Sequence, residues 1–272
     1  MNTQSAGNDN YLEIYDQTGS ILETAKYFNV SYSTMWARLK ASGRVSTKKK
    51  PVYSNTLNGE YFYNVDSAHK AYFYGFIKAD GYVDISRNRV AIRIQEKDEV
   101  ILKRFCDAVN LPIKRINRIK TKSNQQTHVE VAITNRKFVT PLLNIKNNES
   151  LDPFIRNDEF VYDFIRGYFD GDGCINYRNL NKQSYQMNIM GNPSDDHMLQ
   201  FIKNYFPNLH LYIDKRSDLP LLKTGSKSVI LDFANKVYTN CNVYLPRKKH
   251  KFDQIRFLNE VRSSTTIRGN TQ

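Results

Sequence analysis

A chain of 272 residues can bury a sizeable core as one large domain or two smaller ones. Lys and Arg number 40 against 27 Asp and Glu, a formal charge of +13 that favours a polyanionic partner, nucleic acid before a membrane surface. There is no apolar run of membrane-spanning length, residues 1–10 lack a signal-peptide core, and three widely spaced cysteines (Cys106, Cys174, Cys241) indicate neither a disulfide framework nor a zinc site, so a cytoplasmic protein with no membrane partner is expected.

Residues 1–10 are polar and expected to be disordered. Residues 11–43 read as a small all-α unit. A first helix over 11–15 ends near Thr18 and Gly19. Ser20 and Glu23 then have capping-box spacing, so a second helix starts at Ile21 and reaches Phe28. A tight turn over 29–31 leads to a third helix over 32–41, stopped by Gly43. Ala25 is the small residue between helices, with Val30, Trp36 and Leu39 expected as the core. The order resembles a helix-turn-helix, whose last helix here would offer Tyr32, Ser33, Thr34 and Arg38 to a major groove. Residues 44–60, with three lysines before Pro51, read as a basic linker.

From residue 61 onward one sequence of elements occurs twice, over 61–150 and 151–262, before a polar tail at 263–272. In the first half a helix capped near Ser67 is followed by a hairpin (82–85 and 90–95) in which Val90, Ile92 and Ile94 alternate with Arg93 and Gln95. A helix then starts at Asp98, a second hairpin covers 113–121 and 128–134, and a short helix over 136–144 is interrupted by Pro141. In the second half a helix capped at Asp158 leads to a hairpin (175–177 and 185–190). A helix capped by Ser194, strands over 209–215 and 219–223, a helix over 228–238 and a basic amphipathic helix over 246–262 complete it.

The two helices that open these halves carry the repeat: FYGFIKADG at 73–81 and IRGYFDGDG at 165–173. Gly75 with Ala79, and Gly167 with Gly171, lie four apart on one helix face, where two backbones can approach. Large apolar residues surround them, so both helices should be buried on nearly all sides. Each copy ends in Asp-Gly, with the glycine expected in the left-handed conformation that closes a helix. Packed along their small faces, the helices would bring Asp80 and Asp172 side by side at two negative helix ends. Paired carboxylates there repel unless a proton or cation intervenes, and oxygen ligands suit a hard divalent ion such as Mg2+.

Both segments resemble the signature of the LAGLIDADG homing endonucleases, over roughly residues 60–260. The resemblance implies an α+β fold: two pseudo-twofold-related αββαββα units with antiparallel DNA-binding sheets, preceded by the helix-turn-helix unit, in a monomer. It implies a double-strand break in a long asymmetric site of double-stranded DNA, with Asp80 and Asp172 holding Mg2+ (Mn2+ as a substitute). In the family a lysine near the end of each half supports the water network. Lys248 matches it in the second half, with Arg247 and Lys249 as neighbours, while the first half offers only Lys146. Glu96 matches a polar position after the second strand of the first half, where the second half has Gly191. The earlier acidic position of the signature is Asp170 in one copy and Lys78 in the other. The solvated sheet faces are expected to carry Arg87, Arg89, Arg93, Gln95, Arg115, Arg118, Lys120, Arg178, Lys182, Gln186, Asn188, Lys215, Arg216 and Lys223, types that read base edges. Two other functions stay open at this point: a non-cleaving DNA-binding regulator, and an RNA maturase assisting intron splicing.

Overall fold

The computed structural model describes residues 10–45, 56–120, 126–143, 158–179, 184–191 and 196–269, with side chains for all of these but 158, 178, 179, 196 and 261–269. The chain divides between Asn55 and Thr56 into two units, so residues 56–60, read as linker, belong to the larger one.

The smaller unit holds α1 (Asn10–Thr18), α2 (Ile21–Tyr27) and α3 (Tyr32–Ala41). Ser20 accepts from the Glu23 amide at 3.4 Å and Ser31 from the Thr34 amide at 3.1 Å, so each helix starts where a short polar side chain satisfies an orphan donor. Gly19, Asn29 and Gly43 reverse the chain at φ +62°, +47° and +75°. The core is Ala25, Met35 and Leu39, with Val30 half-buried against it. Trp36, expected in that core, is not part of it. Met35 and Leu39 lie one turn apart on the face toward α2, and Trp36 sits a third of a turn away, beneath the Lys40 ammonium at 5.0 Å.

The larger unit is α+β and repeats its order. Its first half runs α4 (Ala68–Asp80), β1 (Gly81–Asp84), β2 (Arg89–Gln95), α5 (Glu99–Ala108), β3 (Asn117–Lys120), β4 (Thr127–Thr134) and α6 (Arg136–Val139). The second runs α7 (Val161–Asp172), β5 (Gly173–Asn179), β6 (Ser184–Met190), α8 (Asp196–Tyr205), β7 (His210–Ile213), β8 (Pro220–Thr224) and α9 (Lys227–Tyr238), closed by α10 (Pro246–Gly269). Each half has one antiparallel sheet, ordered β1-β2-β4-β3 and β5-β6-β8-β7. A single apolar core runs through both halves.

The halves meet along α4 and α7. A Cβ on Gly75 would lie 2.1 Å from the Phe164 carbonyl oxygen, and one on Gly167 would lie 1.9 Å from that of Tyr72. Because 75 corresponds to 167 and 72 to 164 in the repeat, the contact is reciprocal, as a local twofold axis requires. Ala79 and Gly171 continue it, since a Cβ on Gly171 would meet that of Ala79 at 2.4 Å.

Several expectations are corrected. Gly81 and Gly173 are extended (φ −82°, ψ 138° and φ −86°, ψ 155°), not left-handed, because each starts a strand directly from the helix. Their Cβ positions would strike the carbonyl oxygens of Ile77 and Phe169 at 2.3 and 2.5 Å, so this tight exit is what glycine permits. Asp98 precedes α5 without capping it, and α7 is preceded by a 3-10 turn (Asp158–Phe160) with no side-chain cap. Arg115 lies on a 3-10 turn (Ile113–Arg115) before β3, and Pro141 does break its helix, where α6 passes into a 3-10 turn. The closing helix runs on through the expected tail to Gly269. Lys146, Lys182 and Ser194 lie outside the described residues.

Replacing Gly167 with Ala should cost about 1–3 kcal/mol or more, because both opposing backbones must separate. Thermal melts followed by near-UV tyrosine circular dichroism should show a lower Tm, and an unchanged Tm would mean the helices are not held this close.

Candidate active site and nucleic-acid interface

Asp80 and Asp172 are the last residues of α4 and α7, brought together by the glycine contact and set at the carbonyl ends of two helices. Among the described residues neither carboxylate accepts a hydrogen bond or forms an ion pair. Burial pushes the Asp80 carboxyl up to about 6; the Asp172 charge adds to this, while Lys248 and Arg247 work against it. Burial also raises Asp172, with Lys248 opposing. Two desolvated, unbonded carboxylates at negative helix ends are a site short of positive charge. Among the described residues no group of three or more His, Cys, Asp or Glu could hold a metal alone. A cation here would therefore complete its shell with water or phosphate oxygens, as Mg2+ characteristically does. The residues fit such an ion.

Lys248 is 3% exposed, and its ammonium donates to three carbonyl oxygens at the end of α7: Phe169 and Asp170 at 2.7 Å and Gly171 at 3.2 Å. It thus caps the helix that carries Asp172. Burial pushes it down to about 8, with the charges of Asp170 and Asp80 pulling it back. Arg247, one residue earlier, grips Asp98 of the first half with Nε at 2.9 and 3.1 Å and Nη2 at 3.0 Å. Lys249, the other neighbour, pairs within its own helix with Asp253 at 2.7 Å.

Asp170 is structural. Buried to 2%, it accepts from Tyr238 Oη (2.6 Å), Tyr72 Oη (2.9 Å) and the Leu245 amide (2.6 Å), joining α4, α9 and the start of α10. Arg166 works beside it, donating to the carbonyls of Val243 (2.7 Å) and Val237 (2.8 Å) and to Asp163.

Beside Asp80 lies a cavity of about 230 Å3 lined by Gln95, His128, Asp98, Arg93 and Arg247 among others. Gln95, rather than Glu96, borders it; Glu96 is exposed and paired with Arg118 at 3.1 Å. His128, opposite Gln95 across β2 and β4, has a buried Nδ1 with no partner and was not anticipated. Gly191 is buried, its amide donating to the Pro220 carbonyl at 2.8 Å.

Strand register sorts the expected interface. In the first sheet Val90, Ile92, Ile94, Val129, Val131 and Ile133 face the helices, so Arg89, Arg93 and Gln95 lie on the open face with Tyr82, Asn117, His128 and Glu130. Arg118 pairs with Val129 and Lys120 with Thr127, which puts both on the helix side; Arg118 reaches Glu99 there at 2.7 Å. Arg87 sits in the β1–β2 turn, 3.7 Å from Asp84. In the second sheet Gln186, Asn188 and Lys223 share the open face, and Asn188 lies opposite Lys223. Lys215 and Arg216 are exposed in the β7–β8 turn rather than on a strand, and Arg178 follows Tyr177 at a bulge. His128 could have been found from alternation alone, since it shares a parity with Glu130 on β4, whereas Tyr82 joins that face through its pairing with Ala91, two residues from Arg93.

In the small unit Tyr32 is 53% exposed and Arg38 is also exposed, whereas the Ser33 and Thr34 hydroxyls lie 2.8 and 2.7 Å from the Ser31 hydroxyl.

No protein-family model matches the sequence, and no curated protein matches it. Solved structures resemble it at low identity. The LAGLIDADG meganuclease I-AabMI bound to uncleaved DNA is 14% identical, with a TM-score of 0.48 over 72% of this chain and 91% of that one. The LAGLIDADG homing endonuclease I-LtrWI bound to target DNA is 10% identical, with a TM-score of 0.49 over 76% and 92%. I-SmaMI bound to an uncleaved DNA target in the presence of calcium ions is 11% identical, with a TM-score of 0.46 over 72% and 92%.

The Asp80 carboxyl titrates higher in the fold than in an unfolded chain, so its ionised form costs stability in full above about pH 6, and the cost fades as pH falls from about 6 to the ordinary value of 3.8. In EDTA at pH 7.5, Asp80→Asn should therefore be more stable than the parent by about 1–3 kcal/mol. The gap should narrow as pH falls below about 6 and close by 3.8 in paired denaturation curves. A variant less stable at pH 7.5 would contradict the charge-deficient site.

Proposed function

We propose that this protein is a site-specific DNA endonuclease of the LAGLIDADG homing type, hydrolysing phosphodiesters in both strands of a long asymmetric site. The observation that carries this reading is the pair of half-buried, unbonded carboxylates at twin helix ends, flanked by two open sheet faces bearing Arg, Gln, Asn and Lys. Asp80 and Asp172 would hold a divalent cation, Mg2+ first and Mn2+ as a substitute. Such an ion, when bound, lowers the pKa of water and stabilises charge on a phosphoryl oxygen.

The chain's own residues prepare that chemistry. Lys248 ties off the carbonyl end of α7, leaving Asp172 at a fixed helix end, and its positive charge acts on both aspartates. Arg247 is held by Asp98 and adds a second cation beside Asp80. Gln95 and His128 supply polar groups on the Asp80 side. The second half has no comparable pair in its described residues, with Gly191 after β6, so the two strands are expected to be cut at unequal rates. Both carboxylates come from one chain, which supports a monomer. Among the described residues no helix is long and apolar enough to cross a membrane. In the small unit, Tyr32 and Arg38 are the exposed members of α3 suited to a DNA groove, with Ser33 and Thr34 engaged at its cap. A regulator that had given up cleavage would gain stability by losing one aspartate, and the presence of both favours the enzyme.

The test is incubation of the full chain with duplex DNA carrying the sequence around its own gene, joined as the uninterrupted allele, with Mg2+ or with EDTA. Cleavage at one site with Mg2+, absent with EDTA, is expected. Asp80→Asn and Asp172→Asn should each lose at least about 100-fold in rate while binding persists, as expected for removal of a group acting in the transition state. Tight binding without cutting under any divalent ion would favour the regulator, and preferential binding of structured RNA the maturase.

A further inference from the structure

On the open face of the first sheet, Arg93 and Glu130 are cross-strand partners between β2 and β4. Arg93 donates through Nε at 2.9 Å and Nη2 at 2.7 Å to one carboxylate oxygen, and Arg89 Nη2 approaches the other at 3.4 Å. The Glu130 side chain is 12% exposed and that of Arg93 53%, so the carboxylate lies beneath the guanidinium and the guanidinium faces outward. A cavity of about 350 Å3 running from Asp80 past Tyr82 and Ala91 opens onto this group.

A guanidinium has five N–H donors in a rigid plane. With Nε and one hydrogen of Nη2 on Glu130, the remaining donors of Nη1 and Nη2 form a paired edge that Glu130 does not engage, on a side chain 53% exposed. Two adjacent acceptors match that edge. In a major groove guanine presents O6 and N7, whereas adenine pairs an acceptor with a donor. A phosphate contact would need no carboxylate beneath it, and Glu130 weakens the general attraction for phosphate by cancelling one of the two positive charges. The pairing fits orientation of a base-reading arginine, not plain charge neutralisation.

We infer that Glu130 is a positioning residue that presents Arg93 to a guanine near the cleavage centre, making guanine at one position of the first half-site a determinant of specificity. This rests on the DNA-binding reading above. Among the described side chains the open face of the second sheet carries no arginine. Gln186 there donates to Asn188 at 3.1 Å with Lys223 alongside, so the described part of that face has no arginine held by a carboxylate.

The experiment selects bound duplexes from a library with a randomised core, using the full chain in EDTA so that nothing is cut, and sequences them. The parent should enrich a motif with guanine at one column of one half-site, preferred roughly 5- to 150-fold over other bases. Arg93→Ala and Arg93→Lys should both flatten that column and leave the others, since lysine keeps the charge but not the fork. Glu130→Ala should relax the same column while retaining both arginines, with circular dichroism confirming that each variant folds. If the parent enriches a motif but the Arg93 variants lose affinity equally for all sequences, with a salt dependence shallower by about one ion, the arginine contacts phosphate and the inference is overturned. If the parent enriches no motif, the site-specific DNA reading itself fails, and this inference with it.

Discussion

The two halves are joined backbone against backbone: α4 and α7 approach until Gly75 meets the Phe164 carbonyl and Gly167 meets that of Tyr72. Everything that makes the site follows from this approach. The helices are copies in the repeat, so a reciprocal contact puts corresponding residues at corresponding places, and their last residues, Asp80 and Asp172, arrive together. Immediately afterwards each chain turns into a strand at a glycine that has no room for a Cβ. The sheets are thereby anchored to the carboxylates with no intervening loop, and their open faces begin at the site itself.

Such packing leaves little space for polar groups, yet the interface is full of them. Asp170 is satisfied by two tyrosines and an amide, Arg166 by two carbonyls and Asp163, and Lys248 by three carbonyls. Removing one member of such a buried network strands the others, at about 3–5 kcal/mol for a lost charge partner. Asp80 and Asp172, by contrast, have no hydrogen-bond or ion-pair partner among the described residues. That contrast separates structural acids from a site: the fold has spent its donors on Asp170 and left Asp80 and Asp172 short of charge.

The twofold is imperfect where function would use the difference. Arg247 and Lys248 both come from the second half, but one grips Asp98 beside Asp80 and the other caps the helix of Asp172. The first sheet offers arginines tied to a half-buried carboxylate, the second offers amides and a lysine. A single chain can diverge in this way because each half is free to change without altering the other, which a symmetric pair of identical chains cannot do.

The repeat, the twin carboxylates and the α+β order were legible in the residues, because helix and strand periods and the spacing of small residues are local properties of a chain. The hairpin alternation also placed Arg89, Arg93, Gln95, Gln186, Asn188 and Lys223 on the open faces. It misassigned Arg118 and Lys120, since the parity of a short edge strand is set by its partner's register and not by its own composition. The left-handed glycines were misread for a similar reason: Asp-Gly is a good helix stop in isolation, but here the chain leaves at once into a sheet. Tertiary structure alone decided that Lys248 caps carbonyls, that Asp98 holds Arg247 from 149 residues away, and that Glu130 lies beneath Arg93. Those partners are remote in sequence, and a charge carries no local mark of which distant group will neutralise it.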